Sequence, residues 1–374
     1  MIDSLIKVPY VNLVSQWQDD RHELLPIIDR VLGSGQYVGG DEVDKFEENI
    51  AGFCRVKHAI AMNSGTDALT LALHLLGVGR GDEVITPPNS FIASTAAIVH
   101  LGAIPVFVDV LPDQNIDPEK IETAITDKTK VIMPVHLTGR ICDMDPIMEI
   151  AHNHGLAVVE DAAQAIGSMY RGKPSGSLGD VGCFSTHPLK NLNACGDGGF
   201  ITTDIKNIYS KAKTLINHGI VKRNVVNHFG YVSRMDNLQA AILNYRLNKI
   251  DRIIRERRKN AQYYFDGIKS QEIYIPKEQK EKINTYHTFV IQTKKRDKLK
   301  AYLMMKGIET AIHYPIPIHL QPASKCFGYK VGDLPLAENQ AKKILTLPIN
   351  QSLTQDKIKL TIDNINNFYG GEGN

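Results

Sequence analysis

The first two-thirds of this 374-residue chain alternate short apolar runs with helical patterns. Short apolar runs between turn residues are typical of buried strands, whereas apolar residues every three to four positions indicate helices. The predicted strands cover residues 58–62, 83–86, 106–109, 131–135, 157–160, 181–185 and 200–203. Because these runs are apolar on both faces, they predict an α/β fold with a mostly parallel central sheet and helices on both faces.

The pattern changes near residue 245, which divides the chain into two predicted domains. The predicted helices are 67–76 and 93–101 in the first part, and a long basic helix at 238–267 and a helix at 298–306 in the second. A shorter strand is expected at 288–292, and the glycine-rich residues 370–374 are expected to be disordered. We therefore expect a large α/β domain over residues 1–245 and a smaller α+β domain over residues 246–374.

Composition and charge argue against several classes of protein. A net charge of +2 and a pI near 8.1 do not suggest a surface for nucleic acid or membranes. The five cysteines form no Cys-x-x-Cys pair, which favours free thiols in a reducing compartment and gives no reason to expect a metal site. The sequence shows neither a targeting segment nor a run of about 20 apolar residues, so we expect a cytoplasmic protein.

One pair of residues points to a specific chemistry. An apolar run ends in Asp161, and Lys190 follows in a polar loop. A buried carboxylate needs a partner such as the protonated ring nitrogen of pyridoxal phosphate (PLP), and a lysine amine can hold the aldehyde of that cofactor as a Schiff base. Taken singly, the aspartate could cap a helix and the lysine could lie in an exposed loop. The pair suggests a PLP enzyme in which both residues are catalytic, and the neighbouring fragments decide the case.

Four further fragments occur in the order that such a site requires. Gly65 and Thr66 lie where a strand meets a helix, whose free N–H groups can bind a phosphate, although an ordinary helix cap is the alternative. Phe91 follows the next strand and could lie flat on a planar ring, or simply pack in the core. Gln164 would lie one turn along a helix beginning after the aspartate, and could bond the ring hydroxyl. Ser185 supplies a hydroxyl for the phosphate.

These fragments resemble the sugar aminotransferases of the DegT/DnrJ/EryC1/StrS group, which have the aspartate aminotransferase-like fold (fold type I). The matching segments are 37–43, 64–69, 81–87, 143–147, 160–165, 196–199, 233–236 and 313–319. The resemblance implies a homodimer with shared active sites that uses PLP and its pyridoxamine form. It also implies transfer of an amino group from L-glutamate to a 3- or 4-keto sugar, usually linked to dTDP or UDP, in amino-sugar biosynthesis for surface glycans.

The resemblance also assigns roles to residues by their position. The phosphate is expected to contact Gly65, Thr66 and Ser185. The ring is expected to contact Phe91, Asp161, Gln164 and Lys190, with the aspartate on the ring nitrogen and the lysine on the aldehyde. The sugar or nucleotide side is expected to contain His187, His313, Tyr314 and His319, for which structural packing is the alternative.

One motif departs from the family pattern. The family usually has Asn in a Gly-Tyr-Asn-x-Arg motif, where it reaches the cofactor phosphate of the partner subunit. In this chain Val232 stands at that position. Either Ser233 or Asn227 takes over this contact, or the phosphate is held in another way.

Three rival functions remain to be weighed. A sugar dehydratase on the same scaffold would have histidine in place of Lys190. A non-catalytic regulatory protein would be expected to lose Asp161, Gln164 or Lys190, and all three are present. A cyclitol or sugar-phosphate aminotransferase stays open, because the substitution at Val232 suggests an unusual subgroup.

Overall fold

The computed structural model describes residues 6–370. Its α-helices are α1 (Leu13–Gly33), α2 (Asp41–Cys54), α3 (Gly65–Leu75), α4 (Ile92–His100), α5 (Met144–His154), α6 (Lys206–Leu215), α7 (Asn237–Leu247), α8 (Ile250–Gly267), α9 (Arg296–Met305), α10 (Pro335–Ala341) and α11 (Gln355–Gly370). Its strands are β1 (His58–Met62), β2 (Glu83–Thr86), β3 (Ile104–Phe107), β4 (Thr129–Ile132), β5 (Ala157–Asp161), β6 (Met169–Tyr170), β7 (Lys173–Pro174), β8 (Val181–Ser185), β9 (Gly199–Thr203), β10 (Ile220–Lys222), β11 (Val225–Val226), β12 (Lys282–Ile283), β13 (Phe289–Gln292) and β14 (Ile344–Leu347).

A seven-stranded sheet forms the centre of the molecule. Its strand order is β1-β9-β8-β5-β4-β2-β3. The strands β3, β2, β4, β5 and β8 pair in parallel, and β9 runs antiparallel to both of its neighbours. The fold class predicted from the sequence, a mostly parallel sheet, is confirmed.

Alternate residues of the central strands face opposite sides of the sheet, so each strand must be apolar throughout. On one side, Met62 and Val159 pack in a core with α3, α4 and α6. On the other side, Phe184 packs with α2 and α7, while Ile132 and Val158 pack with α5. This double covering explains the continuous apolar runs in the sequence.

A second hydrophobic core lies around the paired strands β13 and β14. It is built by α9, α11 and the second half of α8, and it includes Val8 from the N-terminal segment. Ile250 and Ile254, in the first half of α8, pack instead in the core beside the large sheet. The division of the chain at residue 245 stays a prediction, since α8 itself contributes to both cores.

The expected long helix and two of the expected strands differ from the structure in their details. The single long helix expected at 238–267 is two helices, α7 and α8, separated by a turn at Asn248 and Lys249. The expected strands 106–109 and 131–135 begin and end about two residues earlier, as β3 and β4, because Val108 and Val135 are buried beyond the paired segments. Of the tail expected to be disordered, residues 371–374 lie outside the described part of the chain.

Between residues 6 and 370, none of the helices combines the length and the hydrophobicity that crossing a membrane requires.

Candidate active site

A cavity of about 460 Å³ lies at the carboxyl ends of β5 and β8. Ligands of parallel sheets bind at this edge, because loops leave the strands there and helix N-termini point toward it. The predicted residues that line the cavity are Gly65, Thr66, Phe91, Asp161, Gln164, Ser185, His187, Lys190, His313 and Tyr314. Residues that are far apart in the sequence are thus brought together in one site.

Asp161 is the last residue of β5, and its side chain is only 4% exposed. One carboxylate oxygen accepts a hydrogen bond from Ser94 Oγ at 2.7 Å, and the other accepts from the Ala163 amide at 3.2 Å. Burial raises the pKa of Asp161, and these two hydrogen bonds oppose that rise. No cationic side chain within residues 6–370 lies in salt-bridge distance of this carboxylate. A cationic ligand group would therefore complete its surroundings.

Lys190 lies in a turn that follows β8 and lines the same cavity. The Lys190 amide donates to the carbonyl of His187 at 2.8 Å, which fixes the backbone of this turn. Burial of the amine lowers the pKa of Lys190 to about 8, and the charge of Asp161 opposes this effect. A substantial fraction of the amine is therefore neutral near physiological pH and can act as a nucleophile or a base.

The N-terminus of α3 meets the end of β8 at very close range. Ser64 caps the helix by accepting a hydrogen bond from the Asp67 amide at 3.1 Å. A Cβ atom on Gly65 would lie 2.7 Å from the Cβ of Ser185, so only glycine permits this approach. Gly65 and Thr66 begin the helix, where the N–H groups and the helix dipole attract anions. The arrangement forms a cradle of the kind that binds a phosphate.

Gln164 and the aromatic residues Phe91 and Tyr314 also line the cavity. Gln164 Oε1 accepts from the Thr138 amide at 2.8 Å, which leaves the NH₂ group of Gln164 to donate elsewhere. Phe91 precedes α4 and is 54% exposed, with its ring centroid 5.9 Å from that of Tyr314. Burial raises the pKa of Tyr314 to about 12. No helix begins after Asp161, contrary to the sequence expectation, because residues 162–168 form successive turns.

Of the histidines predicted for the substrate side, His187 and His313 line the cavity. His187 accepts from the Leu189 amide at 3.3 Å, and His313 Nδ1 lies 3.0 Å from Thr346 Oγ1. Burial and the nearby Lys190 lower the pKa of His313 to about 4, so its ring is neutral at pH 7.

His319 lies outside the cavity. It is 2% exposed, its Nε2 is 3.1 Å from Glu338 Oε1, and its ring packs against those of Phe107 and Tyr329. The expectation that His319 lines the substrate side is not met in this protomer, because the imidazole joins α10 to the loop before it. We assign it a structural role.

Among the cavity residues that were not predicted from the sequence are Ser94, Asp197 and His287. Ser94, the donor to Asp161, lies one helical turn after Phe91, and that spacing could have identified it. Asp197 lies within the glycine-rich segment that was identified, but the aspartate itself was not assigned. His287 follows Tyr286, which has a left-handed backbone (φ 48°), and no sequence signal indicates that turn.

The surroundings of Val232, which stands where the family usually has asparagine, distinguish between the two candidate replacements for that asparagine. Val232 is 56% exposed. Ser233 is only 2% exposed and donates to Asn63 Oδ1 at 3.0 Å, so its hydroxyl is occupied within its own protomer. Asn227 is exposed on the segment after β11. Of the two candidate replacements, Asn227 is the one whose side chain is accessible to a partner subunit.

Taken together, these features fit pyridoxal phosphate. Asp161 offers a buried carboxylate without a cationic side chain of residues 6–370 in salt-bridge distance, Lys190 offers an amine with a lowered pKa, and the Gly65 cradle offers a site for a phosphate. These are the three groups that the ring nitrogen, the aldehyde and the phosphate of this cofactor require.

Comparison with known proteins identifies the family. The sequence profile of the DegT/DnrJ/EryC1/StrS aminotransferase family matches residues 18–366. The chain is 42% identical to a protein of Geobacillus stearothermophilus named "pleiotropic regulatory protein", over 97% of this chain and 99% of the relative. It is 40% identical to dTDP-3-amino-3,4,6-trideoxy-alpha-D-glucose transaminase of Streptomyces venezuelae, over 96% of this chain and 95% of the relative.

Solved structures give the same result. The crystal structure of DesV from S. venezuelae superposes with a TM-score of 0.95 at 39% identity, covering 97% of this chain and 98% of that one. The structure of NtdA from Bacillus subtilis with bound cofactor PMP superposes with a TM-score of 0.87 at 33% identity, covering 98% of this chain and 83% of that one. The resemblance drawn from the sequence motifs is confirmed. The chain belongs to the DegT/DnrJ/EryC1/StrS aminotransferase family.

Proposed function

We propose that this aminotransferase uses PLP to move the amino group of L-glutamate onto a 3- or 4-keto sugar linked to dTDP or UDP. The observation that carries the proposal is the joint presence of Asp161 and Lys190 in one cavity. The buried carboxylate forms no salt bridge with a side chain of the described residues, and burial lowers the pKa of the amine to about 8. Of the four other main cavities within residues 6–370, none is lined by both residues.

The chain's own residues have distinct tasks in this reaction. When bound, the cofactor supplies an electron-withdrawing ring that stabilises negative charge on the carbon next to the transferred nitrogen. Asp161 would keep a proton on the ring nitrogen, and Ser94 would orient the carboxylate through its 2.7 Å hydrogen bond. Gly65, Thr66 and Ser185 would hold the phosphate at the N-terminus of α3.

Lys190 would bind the cofactor covalently at rest and transfer protons once it is displaced. Its amine must lose its proton to act as a base, and burial lowers its pKa to about 8 for that purpose. In the first half-reaction Lys190 would remove a proton from the α-carbon of glutamate. Glutamate would lose its amino group to the cofactor and, with water supplying the keto oxygen, would leave as 2-oxoglutarate. In the second half-reaction it would deliver a proton to the carbon that had been the ketone of the sugar.

The substrate side of the proposal rests on the cavity and on the relatives. The space of about 460 Å³ extends from Lys190 and Phe91, which we propose as contacts of the cofactor ring, to His187, His313 and Tyr314, which we propose as sugar or nucleotide contacts. A relative that is 40% identical acts, by its name, on a dTDP-linked amino sugar. An aromatic and imidazole lining suits a sugar ring and a base, since both present flat or weakly polar faces.

We further propose a homodimer in the cytoplasm. The hairpin formed by β10 and β11, together with the segment that follows it, carries several exposed apolar side chains, including Val226, Phe229 and Val232. Such a patch is costly to leave in water and suits a subunit interface. The five cysteines are all free thiols, as a reducing compartment would maintain them.

A two-step absorbance experiment tests the proposal. L-glutamate added to the purified PLP form should bleach the visible band of the bound cofactor. After removal of glutamate, one member of a panel of 3- and 4-keto nucleotide sugars should restore it. If only keto-cyclitols or keto-sugar phosphates restore the band, the reaction type stands and the substrate class is wrong.

A regulatory function is the second candidate, because a relative with 42% identity is named a pleiotropic regulatory protein. The retention of Asp161, Gln164 and Lys190 in one cavity argues against a protein that only regulates. If the purified protein shows neither a visible cofactor band nor any response to glutamate, the regulatory candidate replaces the enzymatic one.

A further inference from the structure

A second, smaller cavity adjoins the proposed active site. Its volume is about 80 Å³, and it shares Leu189, Lys190, His287 and His313 with the larger cavity. Its remaining walls come from the N-terminal segment 10–16, from residues 349–352 and from α8. The small cavity is thus open to the amine of Lys190. Most of its walls come from parts of the chain that have no role in the proposed mechanism.

Arg257 on α8 supplies a buried positive charge to this small cavity. Its side chain is 6% exposed. Nη1 donates to the carbonyls of Tyr286 and His287 at 3.0 and 3.1 Å, and Nη2 donates to Gln351 Oε1 at 3.1 Å. All three acceptors are neutral, and Arg257 Nε is buried without a hydrogen-bond partner in the described part of the chain.

No carboxylate compensates this charge. Among residues 6–370, no aspartate or glutamate lies within salt-bridge distance of Arg257. Burial lowers the pKa of Arg257 to about 10, so the guanidinium is still charged at pH 7. An isolated buried cation is costly, and buried arginines are normally paired with an anion. The missing anion is therefore expected to come from a ligand.

The other groups around the small cavity agree with an anionic ligand. Burial lowers the pKa of His287 well below its usual value, and the charges of Lys190 and Arg257 lower it further. His287 is thus neutral at pH 7, and its buried Nδ1 has no hydrogen-bond partner within residues 6–370. Gln16, Asn193 and Asn350 add neutral amides to the walls, and no aspartate or glutamate of residues 6–370 lines the cavity.

We propose that Arg257 binds the distal carboxylate of the amino donor and thereby selects a dicarboxylic amino acid. This inference rests on the proposed aminotransferase function. The α-carboxylate is bonded to the reacting carbon and must stay beside Lys190, whereas the distal carboxylate is separated from that carbon by two methylene groups. A cavity of about 80 Å³ has room for a carboxylate, which occupies roughly the space of two water molecules at ~30 Å³ each. Charge-assisted hydrogen bonds from a guanidinium to a carboxylate are among the strongest in proteins.

The test is Gln351→Glu, because Gln351 already contacts Arg257. The substitution keeps the shape of the side chain and its hydrogen bond to Arg257, but it gives the guanidinium a counter-ion inside the protein. The carboxylate of a ligand is then attracted less strongly by Arg257 and is repelled by the introduced negative charge. Gln271→Glu is the matched control, since Gln271 is exposed on a loop and the same chemical change is made there. Calorimetry with the PLP-loaded protein measures the Kd of glutarate and of butyrate, and stopped-flow absorbance measures the half-reactions with L-glutamate and L-alanine.

We expect Gln351→Glu to raise the Kd of glutarate and the apparent KM of L-glutamate by about tenfold or more. Butyrate and L-alanine, which lack the second carboxylate, should be affected less than about twofold, and Gln271→Glu should behave as wild type. Unchanged glutarate binding would overturn the proposal, as would an equal loss for butyrate and L-alanine, which would place Arg257 at the α-carboxylate. If dTDP or UDP binds more weakly while glutarate binding is unchanged, Arg257 binds the nucleotide and not the amino donor.

The outcome can be separated from a failure of the proposed function. Glutarate binding is measured without any reaction, so it reports on the Arg257 site even if no amino group is transferred. If wild-type protein binds glutarate but does not respond to any amino donor, the proposed function fails. If wild-type protein responds to L-glutamate and Gln351→Glu does so equally well, only the assignment of Arg257 fails.

Discussion

At the scale of single residues, the site depends on two ionisable groups with opposite requirements. Asp161 must remain charged although it is buried, and Lys190 must lose its proton although Asp161 favours its protonated form. The structure meets the first requirement with hydrogen bonds from Ser94 and the Ala163 amide, and the second with burial of the amine. Each of these effects can be removed separately.

Ser94→Ala removes the hydrogen bond to Asp161 and leaves the carboxylate itself in place. A hydrogen bond to a carboxylate stabilises its charged form, so its loss raises the pKa of Asp161 further. We expect the acidic limb of the kcat profile to move to higher pH and the cofactor to dissociate about tenfold more readily. Spectroscopic pH titration and cofactor dissociation measure both effects.

Ser94→Thr keeps the hydroxyl and should restore the wild-type profile. Ser90→Ala is the control, because Ser90 donates to Ser94 and not to Asp161. An unchanged pH profile in Ser94→Ala would show that this hydrogen bond does not tune the carboxylate.

The lowered pKa of Lys190 predicts a pH dependence in the cofactor-free protein. The amine should react with an amine-specific reagent increasingly as the pH rises through about 8, since only its neutral form is nucleophilic. Asp161→Asn removes the charge that favours the protonated amine, so the transition should move to lower pH. Mass spectrometry of the labelled peptide gives both curves, and a transition that moved upward would contradict this electrostatic account.

The sequence was informative about individual residues where their chemistry is unusual for their position. An aspartate that ends an apolar strand stands out, and so does a lysine between two apolar runs. Arg257 does not stand out, because it lies within a basic helical run whose other members are mostly exposed. Only the three-dimensional structure shows that one arginine of that run is buried and lines a cavity together with Lys190.

At the scale of elements, the turn between α7 and α8 is the main feature that the sequence did not reveal. Neither Asn248 nor Lys249 is a glycine or a proline, so no helix breaker marks the site. The turn is instead stabilised by Asp20 of α1, whose carboxylate lies 3.3 Å from Arg246 Nε and 3.0 Å from Lys249 Nζ. A contact between residues 226 positions apart in the sequence thus stabilises the turn between the two helices.

Asp20→Asn should therefore destabilise the fold. The side chains of Asp20 and Arg246 are 8% and 6% exposed, and loss of one partner leaves a buried charge uncompensated. We expect a decrease of about 3 kcal/mol in the free energy of unfolding, as measured by urea denaturation. Asp19→Asn, at the exposed neighbouring position, is the control and should change it by less than about 0.5 kcal/mol. Equal effects of the two substitutions would mean that the ion pair does not support the turn.

At the scale of the whole molecule, the cofactor cavity lies between the large sheet and parts of the second half of the chain. Asp161, Lys190 and Gly65 come from the central sheet region, whereas His287, His313 and Tyr314 come from the region after residue 245. The sheet could be predicted because its apolar runs are continuous. The position of the second part could not be predicted, because it depends on left-handed backbone at Thr138 and Tyr286, for which those residue types give no signal.

The proposed homodimer can be tested at its most exposed apolar residue. Phe229 is fully exposed in the single chain, at 101%. Burial of a phenylalanine against a partner contributes about 2 kcal/mol or more, so Phe229→Glu should shift the protein toward monomer in sedimentation experiments. Val331→Glu is the control, because Val331 is 78% exposed and lies far along the chain from the hairpin. If Val331→Glu dissociates the protein and Phe229→Glu does not, the hairpin is not the interface.

The central claim is that Asp161 and Lys190 form the centre of an aminotransferase. The most direct measurement supplies L-glutamate whose amino group carries heavy nitrogen, together with the keto nucleotide sugar that restores the cofactor band, and follows the label by mass spectrometry. The account predicts that the heavy nitrogen appears on the sugar and that 2-oxoglutarate forms in equal amount, with both products lost in Lys190→Ala. A sugar product that lacked the label, or an undiminished yield in Lys190→Ala, would contradict it.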